Sequence, residues 1–179
     1  MKTLETERLI LREFEESDAA DMFAYAQNPK VGPSAGWPPH ADVEESQRII
    51  RMFIQADDNW AIVDRKSGHV IGSIGLHQDS KRNHPGARSI GYVLGEPHWG
   101  QGLVPEAVQA VMRFAFEELD LKIISAIYFP FNTQSRRVME KCGMKYEGTL
   151  RMCTRIFSGE IYDDVCYSIT LEEWKASNP

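Results

Sequence analysis

The sequence predicts an α+β protein, a mixed and mostly antiparallel sheet of about six or seven strands with helices on both faces. Three observations carry this. Runs rich in Ile, Val and Tyr alternate with segments whose apolar residues recur at helical spacing. Short turns holding glycine or proline separate them. One strand, helix, strand passage is long enough for a crossover, which leaves its two strands parallel. At 179 residues the chain suits one compact domain spanning 1–179, with no linker or internal repeat to divide it.

In chain order, RLILREF (8–14) reads as a strand and SDAADMFAYAQN (17–28) as a helix with Ser17 as its N-cap. Residues 29–40, with four prolines and two glycines, form a loop that carries Trp37. DVEESQRIIRMFIQ (42–55) has the apolar spacing of a second helix. Residues 60–78 hold two β-rich runs joined by RKSG, a hairpin signature, and RSIGYVL (88–94) adds a third strand. In the helix expected over 106–119, Val108, Val111, Met112 and Ala115 share a face. KIISAIYF (122–129) is the strand that closes the parallel crossover. NTQSRRVMEKCG (132–143) has Asn132 as a cap and Gly143 as a stop. Two runs flanking SGE (158–160) make a closing hairpin.

Bulk properties narrow the function. A composition 42% hydrophobic and 26% charged is that of a globular chain, and a net charge of -6 argues against a general nucleic-acid binder, which carries a basic stripe. The first apolar run is broken by charges, so no signal or membrane span is expected and a cytoplasmic location is. Cys142, Cys153 and Cys166 are odd in number and lack CxxC spacing, so neither a disulfide framework nor a metal site is expected.

WGQGLVPEAV (99–108) sits between a strand and a helix, where the first amides lack intrahelical partners and the helix dipole is positive. Gly100 and Gly102 remove side chains that would hold an anion away, and Pro105 suits a first helical turn. The turn lacks the GK[ST] ending of a Walker loop and the third glycine of a dinucleotide fingerprint. Asn132 and Ser135, three apart, face the same way on their helix and could meet a linear polar ligand.

With TERLILREFEESDA at the start, IGYVLGEPHWGQGLVPEAV and NTQSRRVMEKCGM in the middle and GEIYDDVCYSIT at the end, the whole chain resembles the GNAT superfamily of acetyl-CoA-dependent N-acetyltransferases. Within it, these blocks look like the branch named for RimJ and RimL. The resemblance implies that Tyr92, Val93 and Leu94 pair with the pantetheine amides of acetyl-CoA. It puts the pyrophosphate on the turn amides of Gln101, Gly102, Leu103 and Val104, with Gly100 giving clearance. Asn132 would hold the pantetheine arm and Ser135 would lie near the sulfur.

Two departures stand out: Trp99 and Val104 occupy places where the superfamily usually has Arg or Gln and Gly or Ala. Met139 stands where many members carry a tyrosine that protonates the thiolate, so Ser135 is the candidate proton donor. The expected chemistry is direct attack of a neutral amine on the thioester, without metal. His77, Glu96 and Asp164 are possible relays, with the base unassigned. The favoured acceptor is a protein or peptide α-amine, approached by Trp37, Pro38, His40 and the stretch around Arg151 to Phe157. The alternatives are a polyamine, amino sugar or antibiotic, or a CoA-binding module that transfers nothing. No nucleic-acid or membrane partner is expected, and the chain would be a monomer or homodimer.

Overall fold

The computed structural model describes residues 1–177. It contains a mixed sheet of eight strands together with five α-helices, the class the sequence predicts. The described residues fall into two compact units, Met1–Gly75 with Tyr92–Ala110, and Leu76–Gly91 with the chain from Val111 on. Among the described residues no helix is long and apolar enough to cross a membrane.

In the first unit, β1 (Leu4–Glu5) pairs antiparallel with β2 (Leu9–Glu13), β2 with β3 (Asn59–Asp64), and β3 with the start of β4 (Val70–Gln78). Five successive residues of β3, from Asn59 to Val63, are buried, which explains its unbroken apolar run. α1 (Ala19–Ala26) and α2 (Val43–Ala56) contribute Met22, Tyr25, Ala26 and Ile50 to a core shared with Ala61, Val63 and Val70. Phe14 meets Phe53 of α2 with ring centroids 5.5 Å apart. Asp42 caps α2 by accepting from the Glu45 amide at 2.7 Å.

Ser17 does not cap α1. A 3-10 turn, Glu16–Asp18, precedes the helix, and the Asp18 carboxylate takes the Glu15 amide at 2.8 Å and the Arg12 guanidinium at 2.8 Å on each oxygen. A carboxylate one residue later can reach both a backbone donor and a charged one, which a serine hydroxyl cannot match.

In the second unit, β5 (Ala87–Leu94) runs parallel to β6 (Ile123–Tyr128), β6 antiparallel to β8 (Ile161–Thr170), and β8 antiparallel to β7 (Lys145–Arg155). The parallel pair confirms the expected crossover. Its ladder joins Ala87, Arg88 and Ser89 to Ile123, Ile124 and Ser125, whereas β6 stays paired with β8 as far as Tyr128 and Val165. α3 (Leu103–Glu117) starts three residues before the expected Glu106, because Pro105 is tolerated in its first turn.

α4 (Thr133–Lys141) follows Asn132 as expected. α5 (Leu171–Ser177) was not foreseen, although TLEE carries a capping box: the Glu173 amide donates to Thr170 Oγ1 at 3.2 Å and the Thr170 amide to Glu173 Oε2 at 2.9 Å. Trp174 of α5 is buried against Phe116 of α3, with centroids 5.4 Å apart.

Gly72 of β4 is demanding: a Cβ there would collide with the Val93 carbonyl oxygen of β5 and lie 3.1 Å from Leu94 Cα. Neither obstacle is a flexible side chain. Gly72→Ala should therefore cost about 1–3 kcal/mol by overpacking. Urea unfolding should show a lower midpoint at unchanged slope.

Candidate functional site

In the first unit, β5 ends at Leu94 and a short 3-10 turn, Glu96–His98, leads to the glycine segment. The Trp99 indole N–H donates to the Leu94 carbonyl at 2.7 Å and Gln101 Nε2 donates to the Pro97 carbonyl at 3.0 Å, so side chains on either side of Gly100 fix the entry to the turn. Gly100 and Gly102 both have φ near +77°, a left-handed conformation that disfavours other residues. Around Gly100 the space a Cβ would fill is open.

The Gly102 carbonyl accepts from the Glu106 amide at 3.3 Å, closing the first turn of α3. Geometry then leaves the Gly102, Leu103 and Val104 amides without intrahelical acceptors, and Pro105 has no amide to leave bare. This is a cluster of donors at the positive end of a fifteen-residue helix.

Arg8, which sequence reasoning missed, braces the turn. Its Nη1 donates to the Gln101 carbonyl at 2.9 Å, and its Nε and Nη2 meet Glu106 Oε2 at 2.7 and 2.6 Å. Glu106 also accepts from the Arg8 amide at 2.9 Å and from the Thr6 hydroxyl. Burial alone would raise the Glu106 carboxyl, but these donors hold it below the usual carboxylate range. The arginine of RLILR was the available signal, and only the fold shows that it reaches the turn.

Of the expected strand residues, Val93 turns its carbonyl toward Gly72 of β4. Backbone polar groups alternate between the two edges of a strand, so Tyr92 and Leu94 direct theirs to the opposite edge. There the Leu94 carbonyl is already taken by Trp99.

In the second unit Asn132 is the N-cap of α4, its Oδ1 accepting from the Ser135 amide at 3.1 Å. Ser135 is half-buried and Met139 fully buried. Phe129, Phe131 and Tyr162 form an aromatic cluster with centroids 5.0 to 5.8 Å apart beside this cap.

Trp37 packs its ring against the first unit's core, over Gly32 and 5.2 Å from the His40 ring. His40 Nδ1 is 2.8 Å from Ser46 Oγ, burial lowers its pKa, and Pro38 is exposed. Trp37 and His40 are thus engaged in local packing. Glu96 is likewise occupied, accepting from Asn28 at 2.8 Å and Lys30 at 2.5 Å.

The second unit contains a pocket of about 530 Å³ that the sequence did not disclose. It opens where the β5–β6 ladder stops, between Ser89 on one strand and Ser125, Ala126 and Ile127 on the other. One wall is an ionic network. Arg82 Nη1 donates to Asp79 Oδ2 at 2.8 Å while Nη2 donates to both oxygens of Glu147, at 2.6 and 2.5 Å. Ser125 donates to Asp79 at 2.7 Å and Ser168 to Glu147 at 2.8 Å. Burial would raise the Asp79 carboxyl, yet the Ser125, Arg82 and Lys81 donors hold it below its ordinary value.

Lys81 reaches the wholly buried Asp164 at 3.0 Å, and Leu150 and His77 also line the space. Just past Leu150, the Arg151 to Phe157 stretch is mostly exposed and contains Met152 at φ +50°. The network residues lie on four segments, with bonded partners up to 83 positions apart, so no local motif could reveal them.

The thiols are poor nucleophiles. Burial pushes Cys142 up to about 12 and raises Cys166, while hydrogen bonding to Asp164 raises Cys153. None is a ready thiolate near neutral pH.

Asp79→Ala should cost about 1–3 kcal/mol, since it leaves the Ser125 hydroxyl and one Arg82 donor unsatisfied while Glu147 still balances the guanidinium. The folded Asp79 carboxyl titrates below its unfolded value, so its contribution is present above an ordinary carboxylate pKa of about 4 and lost as pH falls through the folded value. Urea midpoints of wild type and variant should accordingly converge as pH is lowered from 7 toward 3.

Residues 8–145 match the model of the acetyltransferase (GNAT) domain. The chain is 32% identical over 179 residues to p20 of Bacillus licheniformis, described as an uncharacterized N-acetyltransferase, covering 97% of this chain and 99% of that protein. Over 108 residues it is 32% identical to YdaF of Bacillus subtilis, a ribosomal N-acetyltransferase by name, covering 60% of this chain and 57% of YdaF. A GNAT-family acetyltransferase from Bacillus anthracis superposes with a TM-score of 0.86 at 27% identity, over 96% of this chain and 99% of that one. With a family model spanning most of its length and a relative matched from end to end, the chain belongs to the GNAT acetyltransferase family and is an acetyl-transferring enzyme.

Proposed function

We propose that this enzyme transfers the acetyl group of acetyl-CoA to a primary amine by direct attack, with the α-amine of a protein or peptide as its preferred acceptor. The observation that carries the cofactor assignment is the turn at 100–104. Two left-handed glycines, the bare amides of Gly102, Leu103 and Val104, and the Arg8 guanidinium beside them form an anion cradle suited to a pyrophosphate. The Gln101 amide completes the donor set. Tyr92 and the Leu94 amide would pair with the pantetheine chain, Val93 supporting them from the β4 side. Asn132 would hold the pantetheine arm through its amide and Ser135 would protonate or hydrogen-bond the departing thiolate.

The three raised thiols support transfer without an acyl-enzyme. The resemblance to the RimJ and RimL branch supports an N-terminal acceptor, and the name carried by YdaF, a ribosomal N-acetyltransferase, supports a protein one. An α-amine also needs little activation, since its unperturbed pKa is near 8 against about 10.4 for a lysine.

Calorimetry with acetyl-CoA should show saturable binding, and Gly102→Glu should abolish it by placing a charge and a side chain at φ +77° in the cradle. That variant also carries roughly 1–2 kcal/mol of backbone strain, so circular dichroism must confirm its fold. Unchanged affinity in a folded variant would move the pyrophosphate elsewhere. A panel of peptides with varied N-termini, polyamines and aminoglycosides, read by CoA release, tests the acceptor. Turnover confined to the polyamines would refute the α-amine assignment.

Asn132→Asp keeps an N-cap oxygen but loses the amide donor. It should raise the KM for acetyl-CoA with little change in melting temperature. Ser135→Ala should mainly lower kcat, because the hydroxyl acts on charge that develops in the transition state. Equal small effects on both parameters would remove Ser135 from the chemistry.

A further inference from the structure

We propose that the pocket at the end of the β5–β6 ladder receives the acceptor amine as its ammonium form and that His77 removes the proton. This rests on the acetyl-CoA reading above. Past Ser89 and Ser125 the two strands of the second unit are no longer laddered to each other, which leaves Gly91 of β5 exposed. The His77 ring stands over that glycine, its Nε2 and Cδ2 lying 3.9 and 4.0 Å from the position of a Cβ there. Imidazole and pocket thus adjoin the stretch of β5 just past its last ladder pair.

The charged and titratable groups facing the pocket are Asp79, Lys81 and Arg82 on the segment after β4, Glu147 on β7, and Cys166 on β8, with Asp164 of β8 behind Lys81. All but Cys166 are committed to one another. Asp79 and Glu147 share Arg82, and Asp164 holds Lys81. Arg88 of β5 spends its guanidinium on the Pro85 and Ala87 carbonyls. A carboxylate acting as base would have to leave an ion pair, and its ordinary pKa of about 4 is far from that of an ammonium. Imidazole, ordinarily near 6.5, is the better matched acceptor at neutral pH. Ile127 and Leu150 give the carbon next to the amine an apolar wall.

The step balances simply. Neutral His77 takes one proton from the ammonium, and the freed nitrogen lone pair forms the N–C bond to the thioester carbonyl. The C–S bond breaks, the second amine proton ends on the sulfur of CoA, and the proton held by His77 passes to water.

The test is the pH dependence of kcat/KM for wild type and His77→Gln, using the best acceptor of the panel. At pH 7 the variant should be slower by about tenfold for an α-amine of pKa near 8, since only about a tenth of that amine arrives neutral there. The deficit should shrink toward nothing as pH rises to the amine's own pKa, because the amine then arrives neutral. Acetyl-CoA affinity by calorimetry should not change. A deficit constant at every pH would make His77 structural and overturn the assignment, as would full activity at pH 7. Leu150→Trp, a change at an exposed position, should raise the acceptor KM and leave acetyl-CoA affinity alone; an unaltered KM would put the acceptor elsewhere. Wild type that binds acetyl-CoA but acetylates no amine in the panel would overturn the transfer reading and this inference with it.

Discussion

The second unit depends on one buried carboxylate. Asp79 sits immediately after β4, and its oxygens accept from the Ser125 hydroxyl on β6, from Arg82, and from the Lys81 amide of its own turn. Arg82 in turn grips Glu147 on β7, which Ser168 of β8 also binds. Four segments, the one after β4 and strands β6, β7 and β8, therefore meet through one network that Asp79 anchors. A buried ion pair is a weak source of net stability, because desolvation offsets attraction. What it supplies here is position: the members of this polar wall satisfy one another and fix one side of the pocket.

Much of this fold was legible. The parallel crossover followed from the length and period of α3 between two strands, and the cap at Asn132 was visible as a single residue ahead of its helix. The glycine turn was legible as well, since Gly100 and Gly102 have left-handed dihedrals that a local sequence can announce. These features share one property: the forces that set them act within a few residues.

What escaped the sequence was set by partners far along the chain. Arg8 looked like an ordinary strand-edge arginine, yet its guanidinium is claimed by Gln101 and Glu106 some 93 to 98 residues away. Trp37 was placed near the acceptor by the position of its loop between the first two helices, and the sequence did not show what its ring packs on. That ring lies over Gly32 and against the first unit's core. Ser17 lost its cap to Asp18 for a similar cause, since Arg12 on the preceding strand rewards a carboxylate. α5 is the exception, for its capping box was local and readable.

The state of the thiols bears on the economy of the reaction. A cysteine acyl-enzyme route needs a thiol that is deprotonated at working pH, and all three cysteines are displaced in the opposite direction, two of them by burial. An acetyl-transferring enzyme without such a residue must hold donor and acceptor together, and its rate then comes from alignment and from the protonation states of the reacting groups. The proposed direct transfer fits that requirement in a chain whose left-handed glycines shape a backbone turn and whose buried charges line one wall of a pocket. Neither the turn nor the ion-paired wall supplies a nucleophile of its own; in the proposed reaction both serve to position the atoms of other molecules.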